Sequence, residues 1–289
     1  MDNMMTAKII DGRKLSKEIN HATAKRVQQL NQNHIFPKLV VVLVGEDPGS
    51  QLYVRMKNRK AKKLGIQSDV KHLPDDTSED TVLKLIDRYN QDNSIDGILV
   101  QSPLPEQINE DHVISRIDPE KDADGASPFN VGRLAINDEG SYPIACTARG
   151  IMTMFKQYQI SLKGKNALVI GRSKIVGRPM VNLLMNENAQ VTNINKFAND
   201  TSAYTRKADI IISATGKCHL LNKNNVKPGA IIIDVGQNRD ENDKLVGDAD
   251  FDDLSSIASY ITPVPGGVGP MTIATLMEQT VEDAVRRHK

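Results

Sequence analysis

The amino-acid sequence predicts an α/β protein made of two parallel-sheet domains, and three observations carry that expectation. Short runs dense in β-branched residues, such as Lys38–Val44 (KLVVVLV) and Ala230–Gly236 (AIIIDVG), alternate with stretches of helical periodicity. The alternation occurs once before Pro105 and again after Asn166, with a turn-rich stretch between. Several strand-like runs end in glycine or another small residue, as strands leading into a ligand crevice do.

Taken in order, Asp11–Asn33 carries Leu15, Ile19, Ala22, Val27 and Leu30 at helical spacing. Lys38–Val44 reads as a strand buried on both faces, and Ser50–Leu64 as a helix stopped by Gly65. Ile66–Leu73 is a second strand, and Thr77–Gln91 a helix capped by Thr77 or Ser78. Ile95–Gln101 is a third strand that Pro103 and Pro105 prevent from continuing. Between Ile117 and Pro143 periodicity fades, and this stretch is expected to link two domains. Thr147–Tyr158 forms a helix through Ile151, Met154, Phe155 and Tyr158. The second alternation follows: strand Ala167–Gly171, helix Val176–Asn186, then strands Gln190–Ile194, Ala208–Ala214 and Ala230–Gly236. Ser259–Ile261 adds a last strand, Thr262–Pro270 is expected to be irregular, and Met271–Arg287 closes the chain as a helix.

Composition removes several classes of function. With 37 Lys+Arg against 36 Asp+Glu over 289 residues, nothing global suggests nucleic acid or an anionic membrane. No apolar run approaches the roughly 20 residues of a membrane span. The opening MDNMMTAKIIDGRKL has no long apolar region after a basic start, so no secretory signal is expected. Cys146 and Cys218 are lone and far apart, which favours free thiols and a cytoplasmic location. The histidines lack the spacing of a zinc motif, so no protein-bound metal is expected.

Ala167–Met180 (ALVIGRSKIVGRPM) reads as strand, glycine turn and helix start, an arrangement that offers backbone N–H groups and a positive dipole end to an anion. Its glycines, Gly171 and Gly177, match neither G-x-G-x-x-G nor the ATP loop, so an ordinary connection stays open beside a cofactor turn. Arg172 and Ser173 would suit phosphate oxygens. Tyr53 and Lys57, four apart, share one helix face just beyond a strand's carboxyl end, and Gln101 ends another strand at the same edge. For Arg55, Arg59, Lys62 and Lys63 the plainer reading is a solvated basic face. Asp124 in KDADG, taken alone, reads as a turn aspartate.

YVRMKNRKAKKLGI, GILVQSPLP, PEKDADG, VIGRSKIVGRP, KPGAIIIDVG and TPVPGGVGPMT stand here in the order found in one enzyme family. By them the chain resembles the methylenetetrahydrofolate dehydrogenase/cyclohydrolases from about Lys8 to its end, in the two-domain form without a formyl-folate ligase domain. The resemblance implies a folate-binding αβα domain over residues 1–145, rejoined by the C-terminal helix 271–289, and a Rossmann-like NADP domain over 146–270. It implies NADP-dependent oxidation of methylenetetrahydrofolate and hydrolysis of the methenyl product to 10-formyltetrahydrofolate. Lys57 would be the proton-transfer group, its pKa lowered by desolvation and neighbouring cations, with Gln101 orienting it. Asp124 would pair with pterin N–H donors and Tyr53 would pack along the folate. Val100, Ser102, Pro265, Gly266, Gly267, Val268 and Gly269 would complete the folate contacts. Cofactor contacts would come from Gly171, Arg172, Ser173, Ile175, Val176, Lys196, Thr215, Gly216, Gly236 and Gln237. A homodimer is implied as well.

The chain departs from relatives at Ala145-Cys146-Thr147-Ala148, where P-C-T-P is usual, and at Asn195-Lys196, where a His-Ser pair is common. Lys196 would either replace the serine hydroxyl with a cationic phosphate contact or remain solvated. Gln237 stands where an apolar residue is common. Two alternatives are a dehydrogenase without cyclohydrolase activity, which Lys57 and Gln101 argue against, and a non-catalytic nucleotide-sensing module.

Overall fold

The computed structural model describes residues 6–288. The first five residues of the stretch read for a secretory signal, and the last residue of the expected C-terminal segment, lie outside them. Chain order begins β1 (Lys8–Ile9), α1 (Gly12–Gln32), β2 (Lys38–Val44), α2 (Pro48–Leu64), β3 (Gln67–Leu73), α3 (Glu79–Gln91) and β4 (Gly97–Val100). It continues α4 (Glu110–Arg116), α5 (Pro128–Ala135), α6 (Cys146–Gln157), β5 (Asn166–Ile170), α7 (Gly177–Asn186), β6 (Gln190–Ile194), α8 (Thr201–Thr205) and β7 (Ile210–Ser213). The remainder is β8 (Ile231–Asp234), β9 (Asn238–Arg239), β10 (Leu245–Val246), α9 (Phe251–Leu254), β11 (Tyr260–Ile261) and α10 (Val268–Arg287).

Two compact units result. One comprises residues 17–146 and 273–288 and is built on a parallel sheet of order β3-β2-β4. β2 is its centre, and its side chains alternate strictly. Leu39, Val41 and Leu43 enter a core with Val54, Ala61, Leu276, Met277 and Val281, while Val40, Val42 and Val44 enter the opposite core with Val82, Ile86 and Val113. From Ile273 onward the C-terminal helix thus packs into the first unit. Gly65 ends α2 in the left-handed region at φ 83°, where its missing Cβ removes the strain another residue would carry.

The second unit comprises residues 6–16 and 147–272 and holds a parallel sheet of order β1-β11-β8-β7-β5-β6. Leu168, Ile170, Ile211, Ile232 and Ile261 fill one of its cores. The expected boundary put residues 1–145 in the first domain. Residues 6–16 instead join the second unit, because β1 pairs with β11 (Lys8 with Tyr260, Ile9 with Ile261) and Ala7 enters that core.

Three further expectations are corrected. The stretch 117–143 contains α5, started by Ser127, whose side chain accepts from the Asn130 N–H, and by Pro128 in the first turn. The stretch 262–270 is irregular only to Gly267: α10 starts at Val268, and Pro270 is tolerated because first-turn N–H groups have no intrahelical partner. The helix α2 begins at Pro48 rather than Ser50, with Asp47 as cap.

Candidate active site

In the first unit the polar residues gather at the carboxyl edge of the sheet. α2 leaves that edge directly after β2, so Tyr53 and Lys57 occupy its first turns, both half-buried. Gln101 follows β4, held to the sheet by its N–H to the Val42 carbonyl at 2.9 Å. The Lys57 Nζ donates to Gln101 Oε1 at 3.0 Å, and Gln101 Nε2 donates to the Ser102 carbonyl at 2.7 Å. These two bonds fix which end of the amide faces the lysine. Ser50 Oγ also reaches the Ser102 carbonyl at 3.3 Å, and Ser102 Oγ donates to Glu110 Oε1 at 2.9 Å. The Ser102–Pro103 peptide is cis.

Asp124 lies beside this pair. The segment carrying it runs along β4, with Ile98 donating to the Lys121 carbonyl at 2.7 Å and Ala123 donating to that of Ile98 at 3.2 Å. Loss of water pushes the Asp124 carboxyl above the ordinary aspartate range. The Lys57 ammonium pulls it back, the Asp122 charge pushes it further up, and the Cys146 thiol and N–H lower it by donating. Lys121, wholly buried, anchors the turn by donating to the carbonyls of Tyr89, Asn90 and Asp92 at 2.9, 2.7 and 2.8 Å. Asp122 accepts from the Ser127 N–H at 2.7 Å and from Asn130 Nδ2 at 3.1 Å. An amine, an oriented amide and a carboxyl of raised proton affinity therefore share one edge, a set suited to moving a proton. Val100 is buried in the core with Val40 and Val42, on the face opposite Val54 and Ala61, and Ser102 is exposed. Arg55, Arg59, Lys62 and Lys63 are all exposed, the solvated face of the plainer reading.

In the second unit, strand order itself lays out the cofactor candidates. From β6 through β5 and β7 to β8, the loops beyond the carboxyl ends carry Lys196, then Gly171–Val176, then Thr215–Gly216, then Gly236–Gln237. Three strand spacings span roughly 14 Å. Gly171 adopts φ 124°, and a Cβ there would lie 2.6 Å from the Ala214 carbonyl oxygen. A Cβ on Gly177 would lie 2.4 Å from the Gly171 oxygen and 2.7 Å from Arg172 Cα. The two glycines thus close the strand–helix turn on itself, and the spacing that fits no fingerprint has a packing cause. Ser173 Oγ accepts from the Val176 and Gly177 N–H groups at 3.2 and 3.4 Å and keeps its proton for another acceptor. Arg172, Ile175 and Lys196 are exposed, and Val176 is buried.

Beneath β7 and β8 lie two buried carboxylates absent from the sequence reading. Asp248 accepts from Ser213 Oγ, the Thr215 N–H and Thr215 Oγ1, each at 2.8 Å, from Asn238 Nδ2 at 3.0 Å and from the Lys217 N–H at 3.1 Å. Asp234 accepts from the N–H groups of Gly236, Asp248 and Ala249 at 2.8, 3.0 and 2.8 Å, yet burial pushes its pKa up to about 6. A Cβ on Gly236 would lie 2.2 Å from Asp248 Oδ1. These acids hold the loops of Thr215–Gly216 and Gly236–Gln237 in place. Asn193 does the same for the glycine turn, donating to the Val169 and Gly171 carbonyls at 2.9 and 2.7 Å. Only the bare acids in DVG and GDAD could have signalled this pairing.

The Pro265–Gly269 stretch follows β11 in this same unit, where the Val264–Pro265 peptide is cis. Glycine there serves mainly the chain's own packing. Gly266 has φ 123°, its carbonyl accepts the Arg13 N–H at 2.9 Å, and a Cβ on Gly12 would meet the Gly267 oxygen at 1.8 Å. Gly269 is the open one: a Cβ there would meet nothing nearer than Gln237 Nε2 at 3.8 Å. Val268 is buried and Pro265 exposed.

Residues 10–124 match the family described as tetrahydrofolate dehydrogenase/cyclohydrolase, catalytic domain, and residues 145–288 match its NAD(P)-binding domain. The chain is 56% identical over 275 residues to the bifunctional protein FolD of Lactiplantibacillus plantarum, covering 95% of this chain and 96% of that protein. Its fold superposes on the bifunctional FolD enzyme of Campylobacter jejuni with a TM-score of 0.96 and 46% identity, covering 97% and 99% of the two chains. For the Trypanosoma brucei methylenetetrahydrofolate dehydrogenase-cyclohydrolase, a structure complexed with NADP cofactor and inhibitor, the TM-score is 0.94 at 34% identity, covering 98% and 99%.

Proposed function

The chain belongs to the tetrahydrofolate dehydrogenase/cyclohydrolase family, and we propose on that premise how its own side chains divide the work. The protein oxidises 5,10-methylenetetrahydrofolate to the 5,10-methenyl form with NADP, then hydrolyses that product to 10-formyltetrahydrofolate. NADP supplies the hydride acceptor. Arg172, Ser173 and Lys196 hold its adenosine phosphate, the loops of Thr215–Gly216 and Gly236–Gln237 hold its other end, and Ile175 and Val176 flank the turn. The donor set fits an anion: a guanidinium, an ammonium, a hydroxyl with a free proton and a helix start lie on neighbouring loops.

Folate is oriented by Asp124, whose carboxyl pairs with pterin N–H donors, by Tyr53 along the flat surface of the substrate, and by Val100 and Ser102. Hydride transfer needs orientation but no protein-borne proton. Hydrolysis is different. Water attacking the methenyl carbon must lose a proton, and the departing ring nitrogen must gain one. Lys57 performs both transfers. Gln101 holds one lysine N–H so that the nitrogen lone pair faces the water.

The Lys57–Gln101 bond of 3.0 Å, with its amide locked by the Ser102 carbonyl, is the observation that carries the residue assignment. A homodimer in the cytoplasm completes the reading, supported by the family resemblance and by free thiols at Cys146 and Cys218. Among the described residues no helix is long and apolar enough to cross a membrane. The test follows methenyl and formyl products separately by absorbance, with NADP and with NAD. Both products should form with NADP, and methenyl accumulation without hydrolysis would defeat the role given to Lys57.

A further inference from the structure

Phe197, beyond the carboxyl end of β6, is 70% exposed. A single exposed aromatic is ordinary, but this ring has two cationic neighbours drawn from different loops. Arg172 Cζ lies 5.8 Å from its centroid and Lys196 Nζ lies 5.3 Å from it. Two cations repel each other, whereas the ring's negative face attracts both. The turn is built to present the ring. Asn195 Oδ1 accepts the Phe197 N–H at 3.0 Å, and the Asn195 carbonyl accepts the Ala198 N–H at 2.9 Å. Asn195 is thereby engaged in shaping the turn, leaving Lys196 and Phe197 to face outward.

The sign of the local charge matters as well. In dinucleotide-binding sheets an acid about twenty residues beyond the glycine turn takes the ribose 2′-hydroxyl of NAD. Here that position carries Asn195-Lys196-Phe197 and no acid. Asp200, the next acid along the chain, caps α8 by accepting from the Ser202 and Ala203 N–H groups at 2.9 and 3.2 Å.

We propose that Phe197 is a specificity-determining residue: its ring gathers Arg172 and Lys196 into a paired-cation clamp for the 2′-phosphate of NADP. The inference rests on the placement of the adenosine phosphate given above. The ring makes no bond to the phosphate. It keeps both charges within 5.8 Å of one ring centroid, so discrimination between NADP and NAD depends on an aromatic side chain at this position.

The experiment measures calorimetric affinity of the full chain for adenosine 2′,5′-bisphosphate and for 5′-AMP, two ligands that differ only in the 2′-phosphate. It uses the parent, Phe197→Leu, Phe197→Trp and Arg172→Ala. Phe197→Leu keeps apolar bulk but loses the charged ring face, and it should weaken the bisphosphate roughly fivefold while 5′-AMP changes less than twofold. Phe197→Trp, the strongest cation-binding ring, should restore the difference between the two ligands. Equal weakening of both ligands by Phe197→Leu would mean that the ring stacks on the base instead, and would overturn the clamp. An unchanged bisphosphate affinity in Phe197→Leu, with a loss in Arg172→Ala, would overturn the role of Phe197 alone. No loss in Arg172→Ala would overturn the underlying phosphate placement.

Discussion

Replacing Gly177 with alanine sets two backbone effects against each other. Alanine is preferred to glycine inside a helix by about 1 kcal/mol, and Gly177 is the first residue of α7. Against that gain, the new Cβ would lie 2.4 Å from the Gly171 oxygen and 2.7 Å from Arg172 Cα. Both are backbone atoms and cannot rotate away, so relief requires the turn to open. Overpacking of this kind costs about 1–3 kcal/mol. The steric cost wins, because a first-turn residue collects only part of the helical gain. The expected net loss is roughly 1–2 kcal/mol, which lowers the unfolding midpoint of a unit this size by roughly 3–7 °C. Opening the turn also displaces Arg172 and Ser173, so the dissociation constant for NADP should rise. Gly132→Ala is the control. Gly132 lies in α5 with nothing within 4 Å of its would-be Cβ, and the same substitution there should stabilise by about 0.8–1 kcal/mol. Scanning calorimetry and fluorescence titration with NADP measure both proteins. A Gly177→Ala protein that melts at or above the parent, with unchanged NADP affinity, would refute the packing explanation of the two glycines.

Two other outcomes follow from buried charge. The pKa of Asp234 is raised to about 6 from 3.8, so its contribution to stability is fully present below pH 4 and is lost as pH rises through 6, in total about 3 kcal/mol. A carbon-13 carboxyl titration should give a midpoint near 6 for this residue; a midpoint at or below 4 would mean that its three N–H donors outweigh burial. Asp96 is wholly buried and accepts from the Lys38 N–H at 3.0 Å, from Arg287 Nη1 at 3.0 Å and from His288 at 3.2 Å. Arg287→Ala leaves this carboxylate without its guanidinium partner and should cost about 3 kcal/mol in urea unfolding of the first unit; a loss below 1 kcal/mol would show that His288 and the backbone suffice.

Much of the fold was legible because its strongest signals are local. The dense β-branched run KLVVVLV needs no partner to be read as a strand, and the two-residue period of a strand places Leu39 and Val40 in opposite cores. The short element α5 was hidden because the same stretch is crowded with Asp, Gly and Pro, although Ser127-Pro128 is itself a helix-start signal. The same holds for Asp47-Pro48 at α2 and for Asn109 before α4. β1 could not be read, since a two-residue strand gains its meaning from β11, some 250 residues away. The edge positions of Tyr53, Lys57 and Gln101 follow from strand ends alone. The meeting of Lys57 with Gln101, the Asp234–Asp248 pair and the ring shared by Arg172 and Lys196 are tertiary contacts, and no spacing encodes them.

Lys57→Met, assayed for both reactions on one preparation, bears most directly on the division of labour. Methionine keeps the length and apolar stem of the side chain and removes its proton-carrying nitrogen. Cyclohydrolase turnover should fall by about 10²–10⁴, the usual worth of a general acid–base, while NADP reduction with methylenetetrahydrofolate persists within roughly tenfold of the parent. Equal loss of both activities, with folate affinity unchanged, would contradict the assignment of proton transfer to Lys57.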